Sequence, residues 1–439
     1  MVLPTMPRTR SLRKSGSAVV AAGVAILAGC SPTQINIGSR TLMLPFGGGG
    51  TQQTAQTPQS QAATAVLPAV PAAGAGGVVQ SSLPALPQAT GENIGTGPVR
   101  VALLLPLSGE AGLSATAISM ANGARLAMAY IEANPNIAEN TTIVLRDTGG
   151  SAAGATAAAS AAVSEGARLI MGPLRAEQVA AAGAVARSAG IPLIGFASTP
   201  HAAGPGIYLL NVMPESEVRR SLAFAQRQGR SRFAAIVPAT AAGEAQEAAF
   251  RGALQQMGLM PAAVHRFATT AEASAIVANL APLLTSGRVD ALFLPDRASA
   301  PLFAGLIADA GVARQSVAII GSAEWEGDPT IAATPFLASA LYPTVDDAGY
   351  RAILPEYQAR FGGTPHRLTT LAYTATILAN AAPLSRANPP YNAPALTNPQ
   401  GFNGRDGHFR FGADGRAQMA LAMKEVRAGG AVTVDAARL

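Results

Sequence analysis

The sequence predicts an α/β protein with two similar lobes, each a parallel sheet flanked by helices. From residue 98 onward, short apolar runs alternate with Ala-rich amphipathic segments, as strands alternate with helices in this fold class. The runs are apolar throughout, which is typical of parallel strands buried on both faces. The alternation occurs twice in succession without a long spacer, so we expect two lobes.

The first series contains four strand candidates. They are "VRVALLLP", "TTIVLRD", "ARLIMG" and "IPLIGF", between residues 99 and 196. A helix is predicted between the first two, at about residues 115–133, because its apolar residues recur at helical spacing.

The second series continues with the strand candidates "FAAIVP", "DALFLP" and "VAIIGS". Two short extended segments, "IYLLNV" before residue 214 and "ALYPT" near residue 342, follow the first and the second series. We expect the chain to cross between the lobes at these two segments.

Residues 1–29 have the composition of a signal peptide. A basic start is followed by the apolar run "AVVAAGVAILAG", which is too short to span a bilayer. The run ends in Leu27-Ala28-Gly29-Cys30, which resembles the lipobox of bacterial lipoproteins, where the cysteine sulfur receives diacylglycerol. We therefore expect the protein to be anchored to a membrane through lipidated Cys30.

Charge and cysteine content limit the possible functions. Cys30 is the only cysteine, so its acylation would leave no thiol for disulfides, catalysis or zinc binding. The net charge of +6 includes four basic residues of the signal peptide, and their removal leaves 27 basic against 25 acidic residues. A nearly neutral chain gives no support to nucleic-acid binding, which needs a clustered basic patch.

Residues 30–97 are predicted to form a disordered tether. They are rich in Gln, Thr, Pro, Ala and Gly, and only Arg40 and Glu92 are charged. Such a composition cannot bury a hydrophobic core. The folded domain is therefore expected to comprise residues 98–439.

One short motif suggests a different function. Asp147-Thr148-Gly149 follows an apolar run, as in the catalytic loop of an aspartic protease. Acid proteolysis needs two carboxylates that share a proton, and the sequence contains no second Asp-Thr-Gly or Asp-Ser-Gly. A helical run and a buried strand follow, whereas a dimeric protease of the retroviral type needs an all-β surround. We expect Asp147 to end a strand and to supply turn or cap hydrogen bonds.

Three segments resemble the type I periplasmic-binding-protein superfamily, in particular its leucine/isoleucine/valine-binding branch. They are "ALLLPLSG", "LIMGPLRAEQVAAAGAVARSAGIPLIGFAST" and "FNGRDGHFRFGADGRAQM". The resemblance implies two α/β lobes with a ligand cleft between them. We expect lobe 1 at about residues 98–213 and 341–397, and lobe 2 at about residues 214–340 and 398–439.

Ligands of that family lie in the cleft at the carboxyl ends of the strands, where backbone N–H groups can point at an anion. The resemblance implies ligand contacts from three loops of lobe 1: Ser108 and Gly109, Gly172 to Arg175, and Ala197, Ser198 and Thr199. The hydroxyl groups of Ser198 and Thr199 fit an amino-acid carboxylate. Ordinary turn and helix-cap hydrogen bonding is the alternative role for them.

Several positions depart from the amino-acid-binding pattern of that family. Leu174 and Arg175 replace small hydroxyl residues, Ala242 stands where a tyrosine is usual, and Thr374 stands where many relatives have aspartate. The missing aromatic wall at Ala242 removes contact worth about 1 kcal/mol. We therefore expect free branched-chain amino acids to bind weakly or not at all. Arg175 favours an acidic or larger ligand, such as a peptidoglycan fragment.

A second resemblance is to the penicillin-binding-protein activators, outer-membrane lipoproteins that stimulate peptidoglycan synthases. It rests on the lipobox, the long tether and the segments "GSAEWEGDP" and "FLASALYPT". Trp325, the only tryptophan, would bind a partner or ligand if exposed and would be core if buried. The resemblance implies a cell-wall synthase as partner at the periplasmic face of the membrane, and Ser31 after Cys30 favours the outer membrane. The alternative is the substrate-binding component of an amino-acid ABC importer, with a permease as partner.

Patterns for catalysis, metal binding or cofactor binding are missing from the sequence. The four histidines, His201, His265, His366 and His408, lack the spacing of metal ligands. No Gly-x-Ser-x-Gly motif occurs, and the "GGGG" run lies in the predicted tether. We expect a binding protein without catalytic residues, metal or cofactor.

Overall fold

The structure, a computed structural model, describes residues 91–439 and two short strands that precede them. These strands, β1 (Gln34–Ile37) and β2 (Arg40–Met43), form a two-stranded sheet within the segment predicted as a tether. The predicted signal peptide, Cys30 and the rest of the tether up to residue 90 lie outside the described residues.

Lobe 1 begins with nine elements in strand and helix alternation. In chain order they are β3 (Glu92–Ile94), β4 (Val99–Leu105), α1 (Ala111–Glu132), β5 (Thr141–Asp147), α2 (Ala152–Ser164), β6 (Leu169–Met171), α3 (Ala176–Ser188), β7 (Leu193–Gly195) and β8 (Ile207–Leu209). The sheet order is β3-β5-β4-β6-β7-β8, and only β3 is antiparallel to its neighbour. Because β3 pairs with β5, the folded domain starts by residue 92 rather than at the predicted residue 98.

Lobe 2 repeats the alternation. Its elements are α4 (Pro214–Arg227), β9 (Phe233–Pro238), α5 (Ala241–Gln256), β10 (Ala263–Phe267), α6 (Ala273–Thr285), β11 (Ala291–Phe293), α7 (Ala300–Asp309), β12 (Ala318–Ile320), α8 (Pro329–Ala333) and β13 (Leu341–Thr344). Strands β9 to β13 are parallel to their neighbours in the order β10-β9-β11-β12-β13.

The chain then returns to lobe 1 and finally to lobe 2. The returning elements are α9 (Ala348–Phe361), α10 (Thr369–Asn380), α11 (Ala382–Ser385), α12 (Ala393–Leu396), β14 (Phe402–Gly404), β15 (Gly407–Phe411), β16 (Ala417–Met419), β17 (Leu421–Arg427) and β18 (Gly430–Arg438). Strands β14 to β16 form a small antiparallel sheet. Strands β17 and β18 extend the lobe 2 sheet beside β13, so that this sheet has seven strands.

Two lobe boundaries differ from the prediction. The sequence predicts residues 341–344 in lobe 1, but β13 pairs with β12 in the lobe 2 sheet. The sequence also predicts residues from 398 onward in lobe 2, but β14 to β16 pack on lobe 1, where Phe411 contacts Tyr208 with ring centroids 5.3 Å apart. The aromatic residues of this segment complete the lobe 1 core, which decides where the segment lies.

Both sheets are covered by helices on their two faces, which explains why their strands are apolar throughout. In β4, Val101, Leu103 and Leu105 join the core shared with α1 and α10, while Ala102 and Leu104 join the core shared with α2 and α3. All five are at most 1 % exposed. The predicted α/β class with parallel sheets and flanking helices is confirmed.

The chain crossings show which edges of the two sheets face each other. The first crossing, residues 210–213, leaves lobe 1 from the carboxyl end of β8, and the second, residues 345–347, leaves lobe 2 from the carboxyl end of β13. Since the other strands of each parallel sheet run the same way, the carboxyl ends of both sheets face the opposite lobe. The space between these two edges is the interlobe cleft, where ligands of open α/β folds bind.

Candidate functional site

Asp147 organises the first cleft loop of lobe 1. Its Oδ1 accepts hydrogen bonds from the backbone N–H groups of Leu107 (2.9 Å), Ser108 (3.2 Å) and Gly149 (2.8 Å), and its Oδ2 accepts one from Ser108 Oγ (2.5 Å). Partial burial alone would raise the pKa of Asp147, but these hydrogen bonds outweigh burial and lower it. Asp147 therefore ends a strand and fixes a turn, as the sequence predicts, and it holds the hydroxyl of predicted ligand residue Ser108.

Two glycines shape the neighbouring loops. Gly109 and Gly172 have φ angles of 103° and 85°, a region that favours glycine. A Cβ atom on Gly172 would lie 2.1 Å from the carbonyl oxygen of Leu104, so no other residue fits there. These predicted site residues therefore have a structural reason to be glycine at the cleft edge.

Arg175 joins two of the cleft loops. Its Nη2 lies 2.6 Å from Oε2 of Glu110, and the two side chains are 43 % and 66 % exposed. Arg175 and Glu110 thus form an ion pair across the two loops that is open to solvent. An ion pair this exposed is weak, so the expectation that Arg175 favours an acidic ligand stays a prediction.

The third loop keeps two hydroxyl groups available. Ala197 is buried, Ser198 is exposed and Thr199 is half-buried. Thr199 precedes a 3₁₀ turn at Pro200–Ala202, but its side chain makes no cap hydrogen bond there. Ser198 and Thr199 can therefore donate to a ligand at the carboxyl end of β7.

Trp325 lies in the core of lobe 2, away from the cleft loops of lobe 1. Its side chain is 1 % exposed, and its Nε1 donates to the carbonyl oxygen of Pro295 (3.2 Å). The ring packs beside Tyr342 and over Gly321. Trp325 therefore offers no exposed surface for a partner protein, and the core interpretation accounts for it.

The structure also shows the exposure and contacts of two positions that depart from the family pattern, Ala242 and Thr374. Ala242 is exposed in the first turn of α5 and adds no aromatic surface. Thr374 is buried, and its Oγ1 accepts the backbone N–H of Arg405 (2.9 Å). Thr374 thus anchors the turn after β14.

Sequence reasoning missed an acidic wall on the lobe 2 side of the cleft, formed by Glu217, Asp296 and Glu324. Glu217 lies in the first turn of α4, and its Oε2 accepts the backbone N–H of Ala323 (3.3 Å) just after β12. Burial raises the pKa of Glu217 to about 8, and Glu324 adds to this rise. Burial likewise raises the pKa of Glu324, with Asp296 adding and Arg297 opposing.

Among the residues that the structure describes, two of the three carboxylates in the acidic wall lack a basic ion-pair partner. Asp296 Oδ2 accepts hydrogen bonds from the backbone N–H (2.8 Å) and Oγ (2.5 Å) of Ser299. Within residues 91–439, no basic side chain forms an ion pair with Glu217 or Glu324, whereas the adjacent Glu215 pairs with Arg416 of lobe 1 at 2.9 Å. The only sequence signal was that acidic residues follow the carboxyl ends of β8 and β12, in "MPESE" and "GSAEWE".

The described residues give no support to metal binding or membrane spanning. No group of three or more His, Cys, Asp or Glu side chains among them is arranged to hold a metal ion. No helix in this part of the chain is both long and apolar enough to cross a bilayer.

Comparison with known proteins agrees with this geometry. A periplasmic binding protein family model matches residues 98–431. A putative branched-chain amino-acid ABC transporter protein from Rhodospirillum rubrum has a similar structure, with a TM-score of 0.66, 19 % identity, and coverage of 76 % of this chain and 99 % of that one. A leucine-binding protein from Thermotoga maritima gives a TM-score of 0.53, 17 % identity, and coverage of 77 % and 99 %.

The C-domain of LpoA from Haemophilus influenzae, described as a regulator of PBP1A, is also similar, with a TM-score of 0.57, 16 % identity, and coverage of 76 % and 99 %. At these identities the structural likeness shows a common fold. A comparison with curated protein sequences finds no significant match. Since the family model matches more than half of the residues, the chain belongs to the periplasmic binding protein family.

Proposed function

We propose that this chain is a lipid-anchored extracytoplasmic binding protein, without enzymatic activity, whose cleft captures a small ligand carrying a cationic group. The observation that carries the proposal is the unpaired acidic wall. Burying a carboxylate without a counter-charge is costly, and a ligand ammonium group would supply that charge to half-buried Glu217, beside the exposed Glu324.

The opposite side of the cleft supports the same ligand class. Ser198 and Thr199 offer hydroxyl groups that suit a ligand carboxylate. A molecule with an ammonium group and a carboxylate therefore complements both edges, as a free amino acid or a peptide does. The proteins with similar folds that are named for leucine or branched-chain amino acids agree with this class.

Calorimetry with the full chain tests the proposal. We expect at least one amino acid or short peptide to bind, and its analogue without the amino group to bind at least tenfold more weakly. Glu217→Gln should weaken binding about tenfold or more, because hydrogen bonds to charged groups contribute ~1.5–3 kcal/mol. Glu356→Gln, on the exposed face of α9, is the control and should leave affinity unchanged.

Proton release gives a second, independent measurement. The pKa of Glu217 is about 8, so this group binds a proton at neutral pH, and an incoming ammonium group should displace it. Calorimetry at pH 7 in two buffers of different ionisation enthalpy would detect the released proton. Ligand binding without proton release, or an unchanged affinity in Glu217→Gln, would contradict the proposed role of the acidic wall.

Attachment to the membrane is proposed from the lipobox. Replacing Cys30 with Ala should release the protein from the membrane fraction and abolish incorporation of labelled fatty acid. A Cys30→Ala variant that still fractionates with membranes and is still labelled would rule out anchorage at this residue.

A second candidate function is the regulation of a peptidoglycan synthase in the outer membrane. The composition of residues 31–97 favours it, because an extended chain of this length reaches on the order of 200 Å, far enough to meet a partner at a distance from the anchor. Capture of a cell-wall synthase by the full chain, with stimulation of that enzyme, would support this candidate. Capture of an ABC permease instead would support the importer alternative.

A further inference from the structure

The last strand of the lobe 2 sheet has a long uncovered edge. β18 (Gly430–Arg438) has nine residues, of which eight are exposed and Asp435 is half-buried. Among the described strands, only β17 pairs with β18. In an antiparallel pair, alternate residues direct their backbone N–H and C=O groups toward the neighbouring strand. The remaining residues of β18 therefore direct theirs away from β17, where a further strand can pair with them.

The other edges of the two large sheets are shorter or better covered. In lobe 1, β3 has three residues, and so has β8, whose outer side is bonded because Leu209 donates its backbone N–H to the carbonyl oxygen of Gly415 (2.8 Å). In lobe 2, β10 has five residues, of which only Arg266 is exposed. Short and charged edges resist the addition of another strand. β18 is the longest and most exposed of the four edges.

Two exposed valines give β18 an apolar surface. Val432 and Val434 are 46 % and 39 % exposed, whereas Leu421, Met423 and Val426 of the neighbouring β17 are buried. β-branched side chains suit an extended backbone, and they pack against side chains of the next strand in a sheet. An added strand would cover these valines and gain cross-strand contacts.

Three arginines share one carboxylate beside β18. Asp435 accepts hydrogen bonds from Arg220 and Arg227, each at 2.8 Å, and from Arg438. Burial alone would raise the pKa of Asp435, but the hydrogen bond from Arg220 and the charges of the three arginines outweigh burial and lower it. One carboxylate neutralises one of the three guanidinium charges, so two positive charges remain in excess.

Arg227 and Arg438 keep hydrogen-bond donors available to solvent. Their side chains are 49 % and 53 % exposed, whereas the side chain of Arg220 is 6 % exposed. Within residues 91–439, the hydrogen bonds from the Arg227 and Arg438 side chains go only to Asp435. A guanidinium group has five N–H donors. Both side chains can therefore bind a second carboxylate without releasing Asp435.

We propose that β18 is a docking edge for an extended acidic segment of a partner protein, which adds an eighth strand to the lobe 2 sheet. The backbone of the segment pairs with the free N–H and C=O groups of β18, and its carboxylates bind Arg227 and Arg438. Two copies of this chain would bring the same excess of positive charge together, which disfavours a second copy as the occupant. This site does not depend on the ligand of the cleft.

Calorimetry of the full chain with three synthetic peptides tests the proposal. The peptides are EVTVTVE, its lysine counterpart KVTVTVK, and an EVTVTVE analogue in which the valine and threonine backbone nitrogens are methylated and cannot donate. We expect EVTVTVE to bind at least fivefold more tightly than either of the others, because it alone has both the charges and the backbone donors. Equal affinities for the three peptides, or no binding of EVTVTVE up to its solubility limit, would overturn the proposal.

Amide hydrogen exchange locates the bound peptide. The backbone N–H groups of β18 that face away from β17 should exchange at least fivefold more slowly when EVTVTVE is bound. Binding of EVTVTVE without protection of β18 would overturn the proposal. Protection that grows with protein concentration in the absence of peptide would also overturn it, because a second copy would then occupy the edge.

A double variant and a matched control test the charges. Arg227→Gln with Arg438→Gln removes the charge excess and keeps Asp435 paired with Arg220, so binding of EVTVTVE should weaken at least fivefold. Arg360→Gln on α9 is the control, because Arg360 is 50 % exposed and also paired with one carboxylate, and it should leave binding unchanged. An unchanged preference for EVTVTVE over KVTVTVK in the double variant would overturn the proposal.

Discussion

The two edges of the cleft differ in how their ionisable groups are satisfied. On lobe 1, Asp147 accepts four hydrogen bonds and Arg175 is paired with Glu110. On lobe 2, Glu217 and Glu324 lie at the ends of their elements without an ion-pair partner among residues 91–439. The ionisable groups of lobe 1 are thus bound within the fold, whereas Glu217 and Glu324 of lobe 2 lack a paired cation there.

The pKa values of Asp147 and Glu217 are shifted in opposite directions. Hydrogen bonds lower the pKa of Asp147, which means that the fold stabilises its charged form. Burial raises the pKa of Glu217, which means that the fold disfavours its charged form. The two carboxylates should therefore respond to pH in opposite directions.

The largest expected effect is on Asp147. Asp147→Asn removes the charge that four donors share and should lower the free energy of unfolding by about 2 kcal/mol at pH 7. Because the pKa of Asp147 is lowered in the folded state, its contribution is present above the ordinary value of 3.8 and is lost as pH falls below it. Urea unfolding should show that Asp147→Asn has a lower free energy of unfolding than the unchanged protein at pH 7 but not at pH 3. An equal deficit at both pH values would contradict this role.

A smaller effect of opposite sign is expected for Glu217. Its pKa is raised from 4.5 to about 8, so the folded state holds a proton that the unfolded state releases, and stability is lost as pH rises between these values. Relative to the unchanged protein, the free energy of unfolding of Glu217→Gln should be higher at pH 9 than at pH 5 by about 1–2 kcal/mol. This magnitude allows for solvent screening near the half-buried group. Urea unfolding of Glu356→Gln serves as the control. A variant that loses stability at high pH would place Glu217 with Asp147 as a structural carboxylate.

The smallest effect concerns the pair between Arg175 and Glu110. Both side chains are well exposed, so a double-mutant cycle with alanine should give a coupling energy of about 0.5 kcal/mol or less. High salt should reduce it further. A coupling energy above about 1 kcal/mol would show that the conformation of the lobe 1 loops depends on this ion pair. The difference from the unpaired glutamates of lobe 2 would then be larger.

The sequence was sufficient to predict those features that depend on local pattern. Buried parallel strands are recognisable because covering both faces removes polar positions, and the Asp147-Thr148-Gly149 motif after an apolar run is recognisable as a strand end. The lobe to which β13 and the β14 to β16 sheet belong was not predictable, because it depends on which core Phe411 and its neighbours fill.

The acidic wall was not predictable for a related reason. Glutamates in the first turn of a helix are common on protein surfaces, and "MPESE" looks no different from such a case. What distinguishes Glu217 from Glu215 is that Arg416, distant in sequence, reaches only Glu215. Trp325 posed the same difficulty, because its exposure depends on Gly321 and Tyr342, which pack around it.

The position of β17 and β18 has a consequence for biosynthesis. These strands, residues 421–438, complete a sheet whose other strands all precede residue 345. During translation, β13 would therefore emerge with an unpaired edge, and lobe 1 would still lack α10 and the small sheet of β14 to β16. Neither sheet core is complete until most of the chain has been made, because β17 and β18 of lobe 2 and α10 with the small sheet of lobe 1 all follow residue 368.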